Sequence, residues 1–379
     1  MSPHETSRVP RVLLDATAIP ADRGGVGRYL EGLVSAYADD LVIVCQQRDL
    51  QHFSTIAPRA RLVGAPALIR RAPLRLLWEQ FALPGIARRT GAAVIHSPHY
   101  TTTLMTRMPR VVTFHDATFF SDPDLHGWVK RVFFRTWVRL SSRMAGIIVP
   151  SAATESELRR YVRIPAPVTV APHGVDRTVF HPPTPDAVAA FADRLGLVGG
   201  WIAFLGTLEP RKNVPALIAA LDAVARRRSD RGGTTPQLVL AGAPGWDQKI
   251  DTAIARADGI TVKRAGYLPL PELPALLGGA VFVAYPSLGE GFGLPVLEAM
   301  AVGAAVLTTP RLAIPEVGGD TVAYSEPDPD SLATAIESLL DDPERRARLG
   351  ADARSRAESF TWERCAAIHV LAYAAAVTR

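Results

Sequence analysis

The residues best suited to hold a phosphorylated ligand lie in one glycine-rich segment, YPSLGEGFGLPVLE at positions 285–298. The apolar run before it predicts a strand that ends at Tyr285, and Pro295 fits the first turn of a helix that begins near Leu294. The backbone N–H groups at such a helix start, together with the positive end of the helix dipole, favour an anion. The segment therefore predicts a phosphate site.

Charged side chains accompany this predicted site in two places. Glu290 and Glu298 stand eight residues apart within the segment, and an ionised carboxylate, which only accepts hydrogen bonds, suits the hydroxyl groups of a ligand. Arg211 and Lys212 follow another predicted strand end, in FLGTLEPRKNV, where a guanidinium fork beside an ammonium group can bind a diphosphate. These residue types predict a site for a ligand that carries both a diphosphate and hydroxyl groups.

Two weaker candidate sites lie in the first half of the chain. Gly25 belongs to DRGGVGRYL, which follows the first predicted strand and allows close backbone approach. Its G-G-x-G spacing, and the lack of an acidic residue at the end of the second strand, disfavour a nicotinamide enzyme. His115, in TFHD, follows the fifth strand and could orient a substrate hydroxyl. His96 and His99 have no apparent third ligand, so no metal site is predicted.

Composition limits the classes of protein that this chain could be. Its 379 residues suit two domains, and its two cysteines cannot build a disulfide framework. Residues 59–143 hold 14 basic and four acidic side chains, which predicts attraction to an anionic acceptor or membrane face. The acidic second half and the lack of a recognition motif argue against nucleic acid as a partner. No apolar run suits a membrane span or a secretory signal, so a cytoplasmic protein is expected.

Short apolar runs alternate with helical spacing along most of the chain, which predicts an α/β protein built on parallel sheets. Seven strands are predicted before residue 175 and five after residue 200, with a linker around a short helix between them. We therefore expect two doubly wound domains, residues 1–185 and 186–361, with a C-terminal helix at about 362–379 that packs back on the first domain. Ligands of such sheets bind beyond the carboxyl ends of the strands, so the candidate residues should face a cleft between the domains.

The four candidate sites, in this order and spacing, resemble the retaining GT-B glycosyltransferases of family 4 over nearly the whole chain. The most specific match is the E-x7-E motif, here EGFGLPVLE from Glu290 to Glu298. Further matches are GGVGRYL, TFHD, VPSAAT, APHGVD, GTLEPRKN, AGAPGW and AGYLP. His173, in APHGVD, departs from the family, which often has asparagine there. The resemblance implies two Rossmann-like domains, a nucleotide-sugar donor, and no cofactor or metal.

The resemblance also implies roles for residues of the second half. Arg211 and Lys212 would neutralise the nucleotide diphosphate. Glu290 would contact hydroxyls of the donor sugar, and Glu298 would hold the ribose hydroxyls. The same phosphates would bind the backbone amides of Gly291, Phe292, Gly293 and Leu294. The base would be lined by Val262 and Gly266.

In the first half, the resemblance implies that His115 hydrogen-bonds the donor sugar near the reacting carbon. Gly25 would approach the phosphates or the acceptor. Members of this family retain the anomeric configuration, and the implied reaction is a front-face one in which the leaving phosphate takes the acceptor's proton. The less favoured alternative is that Glu290 acts as a nucleophile, as in retaining glycosidases.

The motifs GGVGRY, TFHD and AGAPGW look most like the branch that uses GDP-mannose, which implies an α-mannosyltransferase acting on a glycolipid or polysaccharide precursor. The alternatives are UDP-glucose or UDP-N-acetylglucosamine as donor, and a nucleotide-sugar-binding protein without activity. Residues 128–143 interleave aromatic and basic side chains at helical spacing. This segment is either a helix that lies on the inner face of an anionic membrane or a surface helix whose aromatics enter the core.

Overall fold

The structure, a computed structural model, describes residues 9–19, 23–37, 40–123 and 127–378. The chain forms two compact units, one of Met1–Gly174 with Thr361–Arg379 and the other of Val175–Phe360. The first boundary thus lies after Gly174, whereas the sequence-based prediction placed it after residue 185. Each unit is built on a parallel sheet of its own.

Seven strands form the sheet of the first unit: β1 (Val12–Asp15), β2 (Leu41–Gln46), β3 (Arg61–Ala65), β4 (Val94–Ser97), β5 (Arg110–Thr113), β6 (Gly146–Val149) and β7 (Val168–Val170). All pairs are parallel, and the order across the sheet is β3-β2-β1-β4-β5-β6-β7. Every residue of β1, β4 and β5 is buried, as expected for a sheet covered by helices on both faces. The seven strands predicted from the sequence are confirmed.

The helices between these strands are α1 (Gly24–Ala36), α2 (Leu50–Ile56), α3 (Ala72–Thr90), α4 (Thr118–Ser121), α5 (Trp128–Met144) and α6 (Ala152–Tyr161). Local sequence signals set several of their ends. The Ser151 side chain caps α6 by accepting a hydrogen bond from the Thr154 backbone N–H at 3.0 Å. Gly91 ends α3 in the left-handed conformation, with φ of 71°.

The sheet of the second unit consists of β8 (Trp201–Leu205), β9 (Gln237–Ala241), β10 (Val262–Gly266), β11 (Phe282–Tyr285), β12 (Val306–Thr308) and β13 (Ala323–Tyr324). The strands are parallel and lie in the order β10-β9-β8-β11-β12-β13. The sequence predicted the first five. It missed β13, because a two-residue strand is too short to leave an apolar run.

The helices of the second unit are α7 (Pro185–Leu195), α8 (Val214–Ser229), α9 (Lys249–Arg256), α10 (Leu273–Gly278), α11 (Leu294–Ala301), α12 (Ile314–Gly318), α13 (Pro329–Asp341) and α14 (Pro343–Ala357). Three of them begin with a capping side chain followed by proline: Thr184 for α7, Asp328 for α13 and Asp342 for α14. This pairing starts a helix well, because the cap satisfies a free N–H and proline needs none.

The C-terminal helix α15 (Trp362–Val377) belongs to the first unit. It packs on α1 and against β4, β5, β6 and β7, which confirms the predicted return of the tail. Two glycines make room for its first residue. A Cβ on Gly32 would lie 2.1 Å from Cε2 of Trp362, and one on Gly174 would lie 2.2 Å from its backbone N. Among the described residues, no helix combines the length and apolarity needed to cross a membrane.

Candidate functional site

The predicted charged residues of the second unit meet at the carboxyl ends of two adjacent strands. β8 is followed by a 3₁₀ turn, Pro210–Lys212, that carries Arg211 and Lys212 to the start of α8. β11 ends at Tyr285, and Glu290 lies in the loop between this strand and α11. Because β8 and β11 are parallel neighbours, the segments that follow them come together at one edge of the sheet.

Glu290 lies at the centre of an ionic network. Its Oε1 accepts hydrogen bonds from Lys212 Nζ at 2.7 Å, Ser287 Oγ at 2.5 Å and Tyr285 OH at 3.0 Å. Its Oε2 accepts one from Arg211 Nη1 at 2.7 Å. The two cations that the sequence assigns to a diphosphate are therefore paired directly with the carboxylate that it assigns to the sugar.

The network is buried, and burial and charge together set the protonation states of its members. Lys212 and Glu290 are each only 7% exposed. Burial alone would raise the pKa of Glu290, but the charges of Arg211 and Lys212 and the hydrogen bonds to the carboxylate outweigh it and lower the pKa to about 2. Burial, followed by the charge of Arg211, lowers the pKa of Lys212, while Glu290 partly offsets both effects. Glu290 is therefore ionised at neutral pH and can only accept hydrogen bonds.

Three members of the network have no role in the sequence-based prediction. Glu209 accepts a hydrogen bond from Arg211 Nη2 at 2.7 Å. Tyr285 and Ser287 hold Glu290, and burial raises the pKa of Tyr285 well above its usual value, so its hydroxyl stays protonated and able to donate. Their positions are the signal that could have found them. Tyr285 ends β11 and Ser287 lies just beyond it, while Glu209 lies between the end of β8 and the Pro210–Lys212 turn.

The glycine-rich loop ends where α11 begins, at Leu294, as predicted. Gly293 has φ of 105°, a conformation that favours glycine. With Gly291 and Phe292 before it, the four residues predicted to bind phosphate through their amides lie together at the positive end of a helix, an arrangement suited to an anion. Glu298 lies one turn further along α11 and is 2% exposed.

The two residues predicted to line a nucleotide base lie at opposite ends of β10. Gly266 is its last residue, with φ of 68°, and lies at the same edge of the sheet as the ionic network. Val262 is its first residue, so at ~3.3 Å per residue it lies about 13 Å away along the strand. The structure brings Gly266, but not Val262, to the carboxyl edge.

Gly25 of the first unit lies inside the first turn of α1, which already begins at Gly24. Among the residues that the structure describes, a Cβ on Gly25 would meet no atom within 4 Å. Packing against these residues therefore does not require this glycine, and its backbone is open to close approach by a ligand. Residues 20–22 of the same predicted loop lie outside the described part of the chain.

His115 follows β5 and is held in one orientation. Its Nε2–H donates to the carbonyl of Pro98 at 2.8 Å, and its ring meets Tyr29 of α1 edge-on, with centroids 5.0 Å apart. Burial lowers its pKa, so the ring is neutral at pH 7 and Nδ1 is an acceptor for a hydroxyl group. The carboxylate of Asp116 is held by Thr118, since its Oδ1 accepts hydrogen bonds from the backbone N–H and the hydroxyl of that residue.

Two family models match the chain, one in each half. The model described as Glycosyltransferase Family 4 matches residues 23–179, which lie mostly in the first unit. The model described as Glycosyl transferases group 1 matches residues 200–356 of the second unit. The ionic network and the loop before α11 fall within the second match.

Individual proteins are similar to this chain over about two thirds of its length or more. O-antigen chain mannosyltransferase B of Escherichia coli is 28% identical over 363 residues, which cover 93% of this chain and 92% of that protein. MMP alpha-(1->4)-mannosyltransferase of Mycolicibacterium hassiacum is 34% identical over 267 residues, 66% of this chain and 61% of that protein. The solved structure of Anabaena Alr3699/HepE in complex with UDP-glucose has a TM-score of 0.76 at 19% identity, covering 96% of this chain and 98% of that one. The last likeness concerns the fold alone.

Proposed function

This chain belongs to the family 4 glycosyltransferases of the GT-B fold, and from that membership we propose that it is a retaining α-mannosyltransferase that uses GDP-mannose and acts on a glycolipid or polysaccharide precursor. The observation that carries the proposed chemistry is the buried network of Arg211, Lys212 and Glu290. The choice of mannose is supported by the likeness to an O-antigen chain mannosyltransferase along nearly the whole of both chains.

In the proposed reaction, the nucleotide diphosphate leaves with growing negative charge. Lys212 and Arg211 are fixed in place by Glu290, so they need little rearrangement to meet that charge. The diphosphate would take over the hydrogen bonds that Glu290 accepts from the two cations. Glu290 would then be free to accept hydrogen bonds from sugar hydroxyls. The amides at the start of α11 would hold the same phosphates, and we propose no metal or other cofactor for this step.

Retention would follow from a front-face reaction. The acceptor oxygen bonds to the anomeric carbon on the face from which the diphosphate leaves, and a departing phosphate oxygen takes the acceptor's proton. Glu290 is a poor candidate for a covalent nucleophile, because Ser287 and Tyr285 both donate hydrogen bonds to its Oε1 and its pKa is lowered to about 2. His115, neutral and accepting through Nδ1, is suited to orient a hydroxyl of the donor sugar.

The acceptor is proposed to be anchored at the cytoplasmic face of a membrane. Helix α5 has exposed apolar residues at its start and aromatic packing further along, which supports this proposal only in part, for its first residues. Its first turn exposes Trp128 and Val129, at 68% and 69%. Further along, Phe134 stacks on Phe119 with centroids 4.3 Å apart, and Val138 is buried. The exposed apolar side chains near the start of α5, which also include Val132 at 47%, are therefore the ones proposed to enter an anionic lipid surface.

A donor screen tests the proposed function. The purified enzyme is incubated with GDP-mannose, UDP-glucose or UDP-N-acetylglucosamine, with and without a membrane extract as acceptor source, and with EDTA in every reaction. We expect nucleotide release from GDP-mannose that rises with the extract, and an α-linked product by the anomeric coupling in its NMR spectrum. Turnover of a UDP-sugar with none of GDP-mannose would overturn the donor. A β-linked product would overturn retention.

A further inference from the structure

Three side chains of the types that bind metal ions converge in the first unit. Asp15 is the last residue of β1, His99 lies just beyond the neighbouring strand β4, and Glu79 lies on α3. His99 Nε2 lies 3.3 Å from Glu79 Oε1 and 3.6 Å from Asp15 Oδ2, and one donor atom from each residue lies within 4.8 Å of the other two. His96 is not part of this cluster, because hydroxyl groups hold both its ring nitrogens.

Hydrogen bonds orient both carboxylates toward the middle of the cluster. Asp15 Oδ1 accepts from the backbone N–H and the hydroxyl of Thr17, at 3.0 and 2.7 Å. Glu79 Oε2 accepts from Thr101 Oγ1 at 3.1 Å. Each carboxylate thus has one oxygen fixed by a threonine and the other directed at His99. Outer hydrogen bonds of this kind orient the ligands of metal sites.

One oxygen at the centre of the cluster has no hydrogen-bond donor in the described part of the chain. Asp15 and Glu79 are each 1% exposed, and Asp15 Oδ2 accepts no hydrogen bond from any residue that the structure describes. A single N–H on His99 Nε2 can point at only one of the two carboxylates. Arg75 Nε lies 3.2 Å from Glu79 Oε1 but does not have hydrogen-bond geometry toward it. A buried carboxylate oxygen is thus left without a donor among the described residues, which is costly and which a bound cation would satisfy.

We propose that Asp15 Oδ2, Glu79 Oε1 and His99 Nε2 bind one Zn²⁺ ion, with a fourth position open to water. Tetrahedral zinc with bonds of about 2.0–2.2 Å holds neighbouring ligand atoms about 3.3–3.6 Å apart. The two separations from His99 Nε2, 3.3 and 3.6 Å, match that range. An imidazole nitrogen among the ligands favours zinc over Mg²⁺ and Ca²⁺, which prefer oxygen alone.

The ion would join β1, β4 and α3 of the first unit, so its role is structural. The proposed transfer step gives no role to Asp15, Glu79 or His99 and does not use the ion. The site is not sealed, because the side chains of His99 and Arg75 remain 10% and 22% exposed. An ion can therefore enter the folded protein and be removed by a chelator.

Calorimetry on the full chain tests the proposal. Protein treated with EDTA and dialysed is titrated with ZnCl₂, and separately with MgCl₂. We expect one equivalent of Zn²⁺ to bind the wild type, and its affinity to fall at least about tenfold in Asp15→Asn and in His99→Ala. His181→Ala is the matched control, since His181 is an exposed histidine of the second unit, and it should bind like the wild type. Circular dichroism in EDTA checks that each variant is folded.

A second measurement decides the matter without any variant. Co²⁺ added to the wild type should give the visible absorption of a four-coordinate site, and one equivalent of Zn²⁺ should abolish it. The wild type should also melt at a higher temperature with Zn²⁺ than with EDTA. The proposal is overturned if the wild type takes up no stoichiometric Zn²⁺, or if both cluster variants bind it as tightly as His181→Ala does. In either case the cluster is an ion-pair network that includes Arg75.

Discussion

The two units use the carboxyl ends of their strands in different ways. In the second unit, full charges are buried there: Lys212 and Arg211 are paired with Glu290. In the first unit, the buried groups that join α15 to α1, β4 and β5 include histidines and tyrosines without charge. His369 of α15 faces Tyr29 OH through Nε2 at 2.7 Å. The second unit thus has a charged network beyond β8 and β11, whereas the first unit has a neutral network where α15 meets β4 and β5, beside the separate cluster of Asp15, Glu79 and His99.

The histidines of the first unit are neutral because they are buried. Burial lowers the pKa of His96 and His173 well below its usual value, and that of His369 to about 4. These rings are neutral at pH 7 and hold the C-terminal helix to the sheet through hydrogen bonds and ring contacts, for example between His96 Nδ1 and Tyr373 OH at 2.8 Å. Neutral groups suit a helix–sheet contact that is always formed, whereas buried charges suit a site whose ligand brings charge of its own.

Removing one charge from the second unit should have the largest effect. Lys212→Ala deletes the buried ammonium that would stabilise the leaving diphosphate, so we expect kcat/KM for sugar transfer to fall about 10²–10³-fold. Lys249→Ala is the matched control, because Lys249 is an exposed lysine of the same unit. Steady-state kinetics with the accepted donor gives both values. A Lys212→Ala enzyme within threefold of the Lys249→Ala enzyme would remove Lys212 from the mechanism and with it the contrast between the units.

Acid should destabilise the first unit before the second. His369 binds a proton near pH 6.5 in the unfolded chain but only near pH 4 in the folded one, so the unfolded state gains protons first as the pH falls. The stability that its neutral form contributes is complete above about pH 6.5 and is lost toward pH 4, by about 3 kcal/mol. Glu290 has the opposite shift, from 4.5 to about 2, so its contribution is lost only below about pH 4.5.

Hydrogen exchange measured at pH 7.5 and pH 5, corrected for the intrinsic rates, can separate the two units. We expect peptides from β4, β5 and α15 to lose protection at pH 5 while peptides from β8 and β11 keep it. The variant His369→Gln should show a smaller difference between the two pH values than the wild type, because one titrating group is gone. Equal loss in both units would contradict the comparison.

Much of the fold was predictable from local signals. Parallel strands buried on both faces appear as short apolar runs, and Gly293, Leu294 and Pro295 mark the start of α11 in the sequence itself. The pairing of Arg211 with Glu290 was not predictable in the same way. These residues lie 79 positions apart and meet only because β8 and β11 are neighbours, which depends on strand order. The functional roles given to the candidate residues remain predictions.

Other features depend on contacts that leave no local pattern. The resemblance implied that Val262 and Gly266 both line the base, but the length of an extended strand separates them. Glu79 was not among the candidate residues, because nothing near it in sequence indicates that α3 presents it to His99. For the same reason, no motif indicated that Gly32 and Gly174 receive the first residue of α15.

The close fit at Gly174 gives the prediction with the smallest expected effect. A methyl group there would lie 2.2 Å from the backbone N of Trp362 and 2.4 Å from the backbone C of Thr361, atoms that cannot move aside as a side chain can. We expect Gly174→Ala to lower the free energy of unfolding of the first unit by about 1–3 kcal/mol. Gly127→Ala is the control, since a Cβ there meets no atom of a described residue within 4 Å and φ is −59°. The C-terminal helix is held here by close packing and neutral contacts. The decrease in the free energy of unfolding, measured with urea, should therefore not change with salt concentration. A loss that grew or shrank with salt would mean that charge also holds the C-terminal helix.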